Sequence, residues 1–155
     1  MLIEKKVAQL LLKHHKTVSL AESCPGGLLG HLLTNIPRSS EYFKLGLVTS
    51  SYEAKEKLLK IPHGLLLKYG AVSEPVTRLM AQNVRKILKT DVSVSITGIA
   101  GPSGATKKKP LGLTYIAVTS AQKTTCQKFI FRGSRLSIKQ QAANKALQLL
   151  YNFLR

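Results

Sequence analysis

The chain has 155 residues, of which 44% are hydrophobic and 20% charged. That is enough for one domain with a sizeable core and too little for two full-size domains, and it is not the make-up of a disordered chain. Lysine plus arginine number 24 against 7 acids, a net charge of +17. The last acid is Asp91, and the 64 residues after it (155 − 91) hold ten Lys or Arg and no carboxylate side chain. This excludes a paired-carboxylate catalyst or an oxygen-ligand metal site in that stretch, and it invites a nucleic-acid binder held by phosphates. Cys24 and Cys126 form no CxxC pair and no zinc spacing with the four histidines, so no metal is expected and a reducing cytoplasm is the expected compartment. The N-terminal stretch has no secretory apolar run, and no window approaches the ~18–20 apolar residues of a membrane span.

In chain order, residues 2–15 predict an amphipathic helix, with Ile3, Val7, Leu10, Leu11 and His14 on one face. Residues 17–22 alternate like a strand and run into the turn Ser23-Cys24-Pro25-Gly26-Gly27. Pro25 suits the first turn of a helix over about 25–34. A short helix near 39–44, a strand over 46–51 and a helix over 53–59 follow. Ser73, Glu74 and Pro75 open a helix to about 89, with Val76, Met80, Val84 and Ile87 as its apolar face. Residues 91–97 are the clearest strand, in strict β-branched alternation. A Gly- and Pro-rich loop covers 98–112, two strands at 113–120 and 124–131 form a hairpin, and a helix over 135–154 closes the chain. Strands alternating with helices predict a single α/β domain over 1–155. Its three layers are α/β/α, with a mainly parallel sheet and an antiparallel hairpin near the C-terminus.

Ligands of such sheets bind beyond the carboxyl ends of the strands. Glu22 to Gly27 opens a helix there, and glycine backbone with a helix N-terminus favours an anion. Thr97 to Gly104, with Gly98, Gly101 and Gly104, could wrap a phosphate or a sugar. Ser39 and Ser40, followed after a strand by Lys55, could supply a nucleophile and a base without histidine or metal, provided that the lysine is partly desolvated. The same residues also fit ordinary turns, a helix cap and a solvated lysine.

Together these segments resemble one family. Leu20–Gly27 (LAESCPGG) is similar to the AESCTGG signature of the CinA C-terminal domain, also found alone as the PncC-type nicotinamide-mononucleotide amidohydrolase. PRSSEYF at 37–43, GLVTSSYEAK at 46–55, GAVSE at 70–74, TGIAGP at 97–102 with KPLG at 109–112, and FRGSR at 131–135 resemble further family motifs in the same order. The chain differs from them at Arg38, Ser50, Tyr52, Pro25, Ala105 and Ser134. The resemblance implies an α/β/α hydrolase that releases ammonia from the carboxamide of nicotinamide mononucleotide, without metal or cofactor. By position, Ser40 would be the nucleophile and Lys55 the base. Glu22, Ser23, Gly26, Gly27, Ser50, Tyr52, Thr97, Gly98, Gly101 and Gly104 would hold the nucleotide, with Arg135 near its phosphate. A homo-oligomer is expected from the family. Two other readings are carried: a member that binds a nucleotide without hydrolysing it, and a nucleic-acid-associated module. No groove-reading motif supports the last, and aromatics are 6% with no Trp, so any nucleic-acid binding is expected to be non-specific and electrostatic.

Overall fold

The computed structural model describes all of residues 1–155. Five strands form one sheet in the order β2-β1-β3-β4-β5: β1 (Val18–Glu22), β2 (Phe43–Val48), β3 (Val92–Gly98), β4 (Leu113–Ser120) and β5 (Thr124–Ile130). β1 pairs in parallel with both β2 and β3, while β4 is antiparallel to β3 and to β5. Four of the five strands therefore run the same way. Six helices flank the sheet: α1 (Ile3–Lys13), α2 (Leu28–Thr34), α3 (Tyr52–Leu59), α4 (His63–Tyr69), α5 (Glu74–Leu88) and α6 (Arg135–Leu154).

The sheet carries a core on each face. On one side Val7 and Leu11 of α1, Leu29 and Leu33 of α2, and Ala146, Leu147 and Leu150 of α6 pack on Val92, Val94 and Ile96. On the other, Val76, Met80 and Val84 of α5 pack with Leu59, Ile61 and Leu66. Every residue of β3 from Val92 to Thr97 is buried. Its alternation therefore separates two buried faces rather than core from solvent. The polar face lies against α5, where Ser93 Oγ donates to the Ala81 carbonyl at 2.6 Å and Ser95 Oγ to the Thr77 carbonyl at 2.5 Å. A short hydroxyl lets the helix approach closely and satisfies its own hydrogen bond, as burial demands.

Several sequence expectations shift. Residues 39–44 are not a helix: a 3-10 turn covers Ser39–Glu41, and β2 begins at Phe43, earlier than expected, and ends at Val48. Pro25 does not open α2. The peptide before it is cis, Gly26 and Gly27 follow at φ +68° and +105°, and α2 starts only at Leu28. The helix α4 is additional, an isolated seven-residue segment between Pro62 and Gly70. Ile87, placed on the apolar face of its helix by its spacing, is exposed near the helix end.

Candidate active site

At the carboxyl ends of β1, β2 and β3, the chain turns three times. After β1 runs Ser23–Gly27, after β2 Thr49–Ser51, and after β3 the long loop to Gly112. β1 lies between β2 and β3, so the chain leaves it to one side and later returns to the other. The crevice at such a reversal is where open α/β sheets bind ligands.

Glu22 builds the first turn. Its side chain is buried, and Oε1 accepts from the N–H groups of Gly27 (3.0 Å) and Leu29 (3.1 Å), Oε2 from Gly30 (2.9 Å). Burial pushes its carboxyl pKa up, opposed by these three donors and by Lys139. The anion at the N-terminus of α2 is thus the chain's own Glu22, and three of its acceptor positions hold the turn together. The N–H groups of Cys24 and Gly26 meet no backbone carbonyl, whereas Ser23 N–H donates to Ile96 at 2.9 Å.

Lys55 lies in α3, capped by Ser51 Oγ, which accepts from Ala54 N–H at 3.0 Å. The lysine side chain points inward and is fully buried. Its Nζ donates to the Thr49 carbonyl at 2.5 Å and to Ser23 Oγ at 3.2 Å. No carboxylate pairs with it, and burial lowers its pKa to about 8. Thr49 Oγ1, also buried, has no hydrogen-bond partner.

The structure brings Lys55 to Ser23, not to Ser40. Ser40 lies in the 3-10 turn before β2, exposed to solvent, while Lys55 follows the other end of that strand. Six strand residues separate the two ends of β2, about 20 Å at ~3.3 Å per residue. The pairing of Ser40 with Lys55 is therefore corrected. The two are neighbours in sequence, and an extended strand carries them to opposite poles of the sheet.

The remaining positions divide. Gly26 and Gly27 border the site in backbone conformations that favour glycine. Gly101, at φ +75°, has its carbonyl held by Arg135 Nη1 at 2.7 Å. Ala100, Cys24 and Ile138 pack together, joining the two glycine loops to α6. Ser50 is exposed between β2 and α3, and Tyr52 is exposed with its hydroxyl beside Gly70. Gly98 lies against Thr114, where a Cβ would sit 2.9 Å from Oγ1. Gly104 is exposed at the loop tip. Thr97 is corrected: it is fully buried and its Oγ1 pairs with Thr77 Oγ1 at 2.8 Å, under α5 and away from the crevice. Sequence reasoning overlooked Lys139. It stands one turn after Arg135 on α6, with Nζ 4.0 Å from where a Cβ of Gly26 would lie, and the i, i+4 spacing from Arg135 was the available signal. Ser134 is the N-cap of α6, its Oγ accepting from Ser137 N–H at 3.2 Å.

The site thus combines a hydroxyl, a buried amine without a counter-ion, unpaired backbone donors and two cations, Arg135 and Lys139. Such a set can attack a carbonyl, carry the proton and bind an anionic group. No group of three or more His, Cys, Asp or Glu able to hold a metal is present. No helix is long and apolar enough to cross a membrane.

Known proteins agree with this architecture. Residues 2–154 match the model of the CinA C-terminal domain. A CinA-like protein of Endomicrobium trichonymphae is 49% identical over 92% of the chain, and the match covers 33% of that protein. A putative competence-damage inducible protein of Desulforudis audaxviator is 41% identical over 97% of the chain and is covered over 37% of its own length. The chain spans about a third of the length of these curated relatives. A crystal structure of a competence or damage-inducible protein from Enterobacter asburiae superposes with a TM-score of 0.94 at 31% identity, covering 99% of this chain and 96% of that one.

Proposed function

Because the chain belongs to the CinA C-terminal domain family, we propose that it is a cytoplasmic, metal-free serine amidohydrolase that converts nicotinamide mononucleotide to nicotinate mononucleotide and ammonia. One observation carries the reading: the buried Lys55 Nζ at 3.2 Å from Ser23 Oγ, at the crevice of the sheet. A neutral Nζ in this place keeps one N–H on the Thr49 carbonyl and turns its lone pair to the Ser23 hydroxyl. It takes the hydroxyl proton as Oγ attacks the carboxamide carbon. The negative charge that develops on the carbonyl oxygen has backbone donors available in the unpaired N–H groups of Cys24 and Gly26. The ammonium of Lys55 then returns its proton to the leaving nitrogen, ammonia departs, and water cleaves the acyl-serine by the same relay. Arg135 and Lys139 supply the positive end of the crevice for the substrate's phosphate, while Glu22 is turned onto the backbone N–H groups of its own turn.

The test is ammonia release from the mononucleotide. Ser23→Ala and Lys55→Met are each expected to lower the rate at least about a thousandfold, with the circular dichroism spectrum unchanged. Ser40→Ala is expected to keep it within about twofold. Loss of activity in Ser40→Ala with retention in Ser23→Ala would reverse the assignment, and no ammonia from the parent chain above a heat-killed control would remove the activity altogether.

A further inference from the structure

At the pole opposite the crevice, two adjoining clefts of about 340 and 480 Å³ share Arg85, Ser120, Ala121 and Gln122. They open beside Val92, the first residue of β3, and Ser120, the last of β4. The seven residues of β3 therefore separate them from Gly98 by about 20 Å.

Cations from three separate elements line these clefts. Arg85 and Lys86 come from α5, with Lys89 just after it; Lys16 follows α1; Lys123 sits in the turn between β4 and β5. None of the five takes part in an ion pair. One carboxylate, Asp91, stands on the rim; its Oδ2 accepts from Thr17 N–H at 2.8 Å and Thr17 Oγ1 at 3.0 Å, which anchors it toward the start of β1. Arg85 is braced by the Thr90 carbonyl, which accepts from Nη1 at 3.1 Å, while Nε and Nη2 have no hydrogen-bond partner in the protein. Lys123 is held over the Phe153 ring at 4.9 Å. Basic residues on the last turn of α5 complement its dipole, and Lys16 just past the end of α1 does the same there, but that reason does not extend to Lys123, in the turn between two strands.

We propose that this double cleft is a second anion site, built for the linked phosphates of a polyphosphate chain. Five cations against one rim carboxylate, around connected hollows, exceed what one phosphate group needs, and each hollow has the volume of a small-ligand pocket, roughly 300–1,000 Å³. The cations surround concave space instead of standing on a ridge, and Phe153, the one aromatic ring on its wall, already carries Lys123 over it at 4.9 Å. Both features favour a compact oligoanion over a nucleic-acid strand. The site involves none of Ser23, Lys55, Arg135 or Lys139 and does not depend on the amidohydrolase reading.

The experiment is isothermal titration of the whole chain at about 0.15 M salt, where surface charge is screened beyond ~8 Å. Inorganic tripolyphosphate is expected to bind saturably with one equivalent. Lys86→Gln combined with Lys89→Gln is expected to weaken it about tenfold, and Lys123→Gln, on a different element, severalfold. The control Lys5→Gln with Lys128→Gln removes the same charge outside the clefts and is expected to change affinity less than about twofold. A nucleoside triphosphate run in parallel distinguishes the sources: tighter binding than tripolyphosphate identifies a nucleotide, equal binding a bare polyphosphate. The proposal is overturned if tripolyphosphate does not saturate, if the control pair weakens binding as much as the cleft pair, or if a short DNA duplex outcompetes tripolyphosphate at equal phosphate concentration through the same lysines.

Discussion

Lys55 is an amine placed where its charge is unwelcome. Buried without a carboxylate, it holds its proton up to a pH of about 8, against 10.5 for a free side chain. A base acts in its unprotonated form, so the turnover of the mononucleotide is expected to rise with pH and reach half its plateau near pH 8. A rate independent of pH between about 6.5 and 9.5 would remove Lys55 from the proton relay. The same shift acts on stability. Between about pH 8 and 10.5 the unfolded chain holds a proton that the folded chain has released, so this residue's contribution to stability increases with pH across that window. Below it, both states are charged and the full burial cost remains. Lys55→Met fills the same space without charge and is expected to raise stability at pH 7 by about 1 kcal/mol or more, read from denaturant unfolding. Stability gained where activity is lost is the pattern of a residue kept for chemistry.

The loops around the crevice are held by backbone as much as by side chains. Gly112 ends the long loop after β3. Its N–H donates to the Ile99 carbonyl at 2.8 Å and its carbonyl accepts from Phe131 N–H at 3.0 Å, tying the loop to the end of β5. It stands at φ +85°, and a Cβ there would lie 1.8 Å from the Phe131 carbonyl oxygen. Gly112→Ala must displace backbone, and it is expected to destabilise by about 3 kcal/mol or more in urea unfolding while also lowering turnover. Elements of this kind were unevenly legible in the sequence. The helix over 135–154 and the strand over 113–120 were readable because one is a long apolar-striped run and the other an apolar, β-branched run bounded by glycine and polar residues. β2 was displaced by three residues, since Gly46 at its centre and the short turn before it blur the pattern. α4 was missed because a seven-residue helix between proline and glycine has too little periodicity to register.

Across the whole molecule, the glycine loops, Lys55 and Arg135 were legible as a set, but the partner of Lys55 was not. Ser40 is closer in sequence, whereas Ser23 is closer in space, because parallel β1 and β2 bring their carboxyl ends side by side. That proximity is a property of strand direction, which no local pattern around Ser40 expresses. The charge of +17 also belongs to this scale. It is the excess left after all seven acids are counted, and only three Lys or Arg side chains sit in an ion pair, each at i, i+3 or i, i+4 spacing. Like charges spread over one surface repel, and added salt screens them. The melting temperature is therefore expected to rise by a few degrees, roughly 2–5 °C, between about 10 mM and 0.5 M sodium chloride in differential scanning calorimetry. A fall over that range would mean that the isolated ion pairs outweigh the general repulsion.

The clamp of Glu22 on three backbone N–H groups has a bearing on how such proteins are recognised. Glutamate at 22 and glycines at 26 and 27 are demanded by the shape of one turn, whatever passes through the crevice. A relative without the proposed hydrolysis would still need them to fold, and its loop would look unchanged. Lys55 has the opposite standing, since folding alone gives no reason to bury it. A likeness in the turn therefore reports ancestry, and the amine behind it is the feature on which the proposed hydrolysis depends.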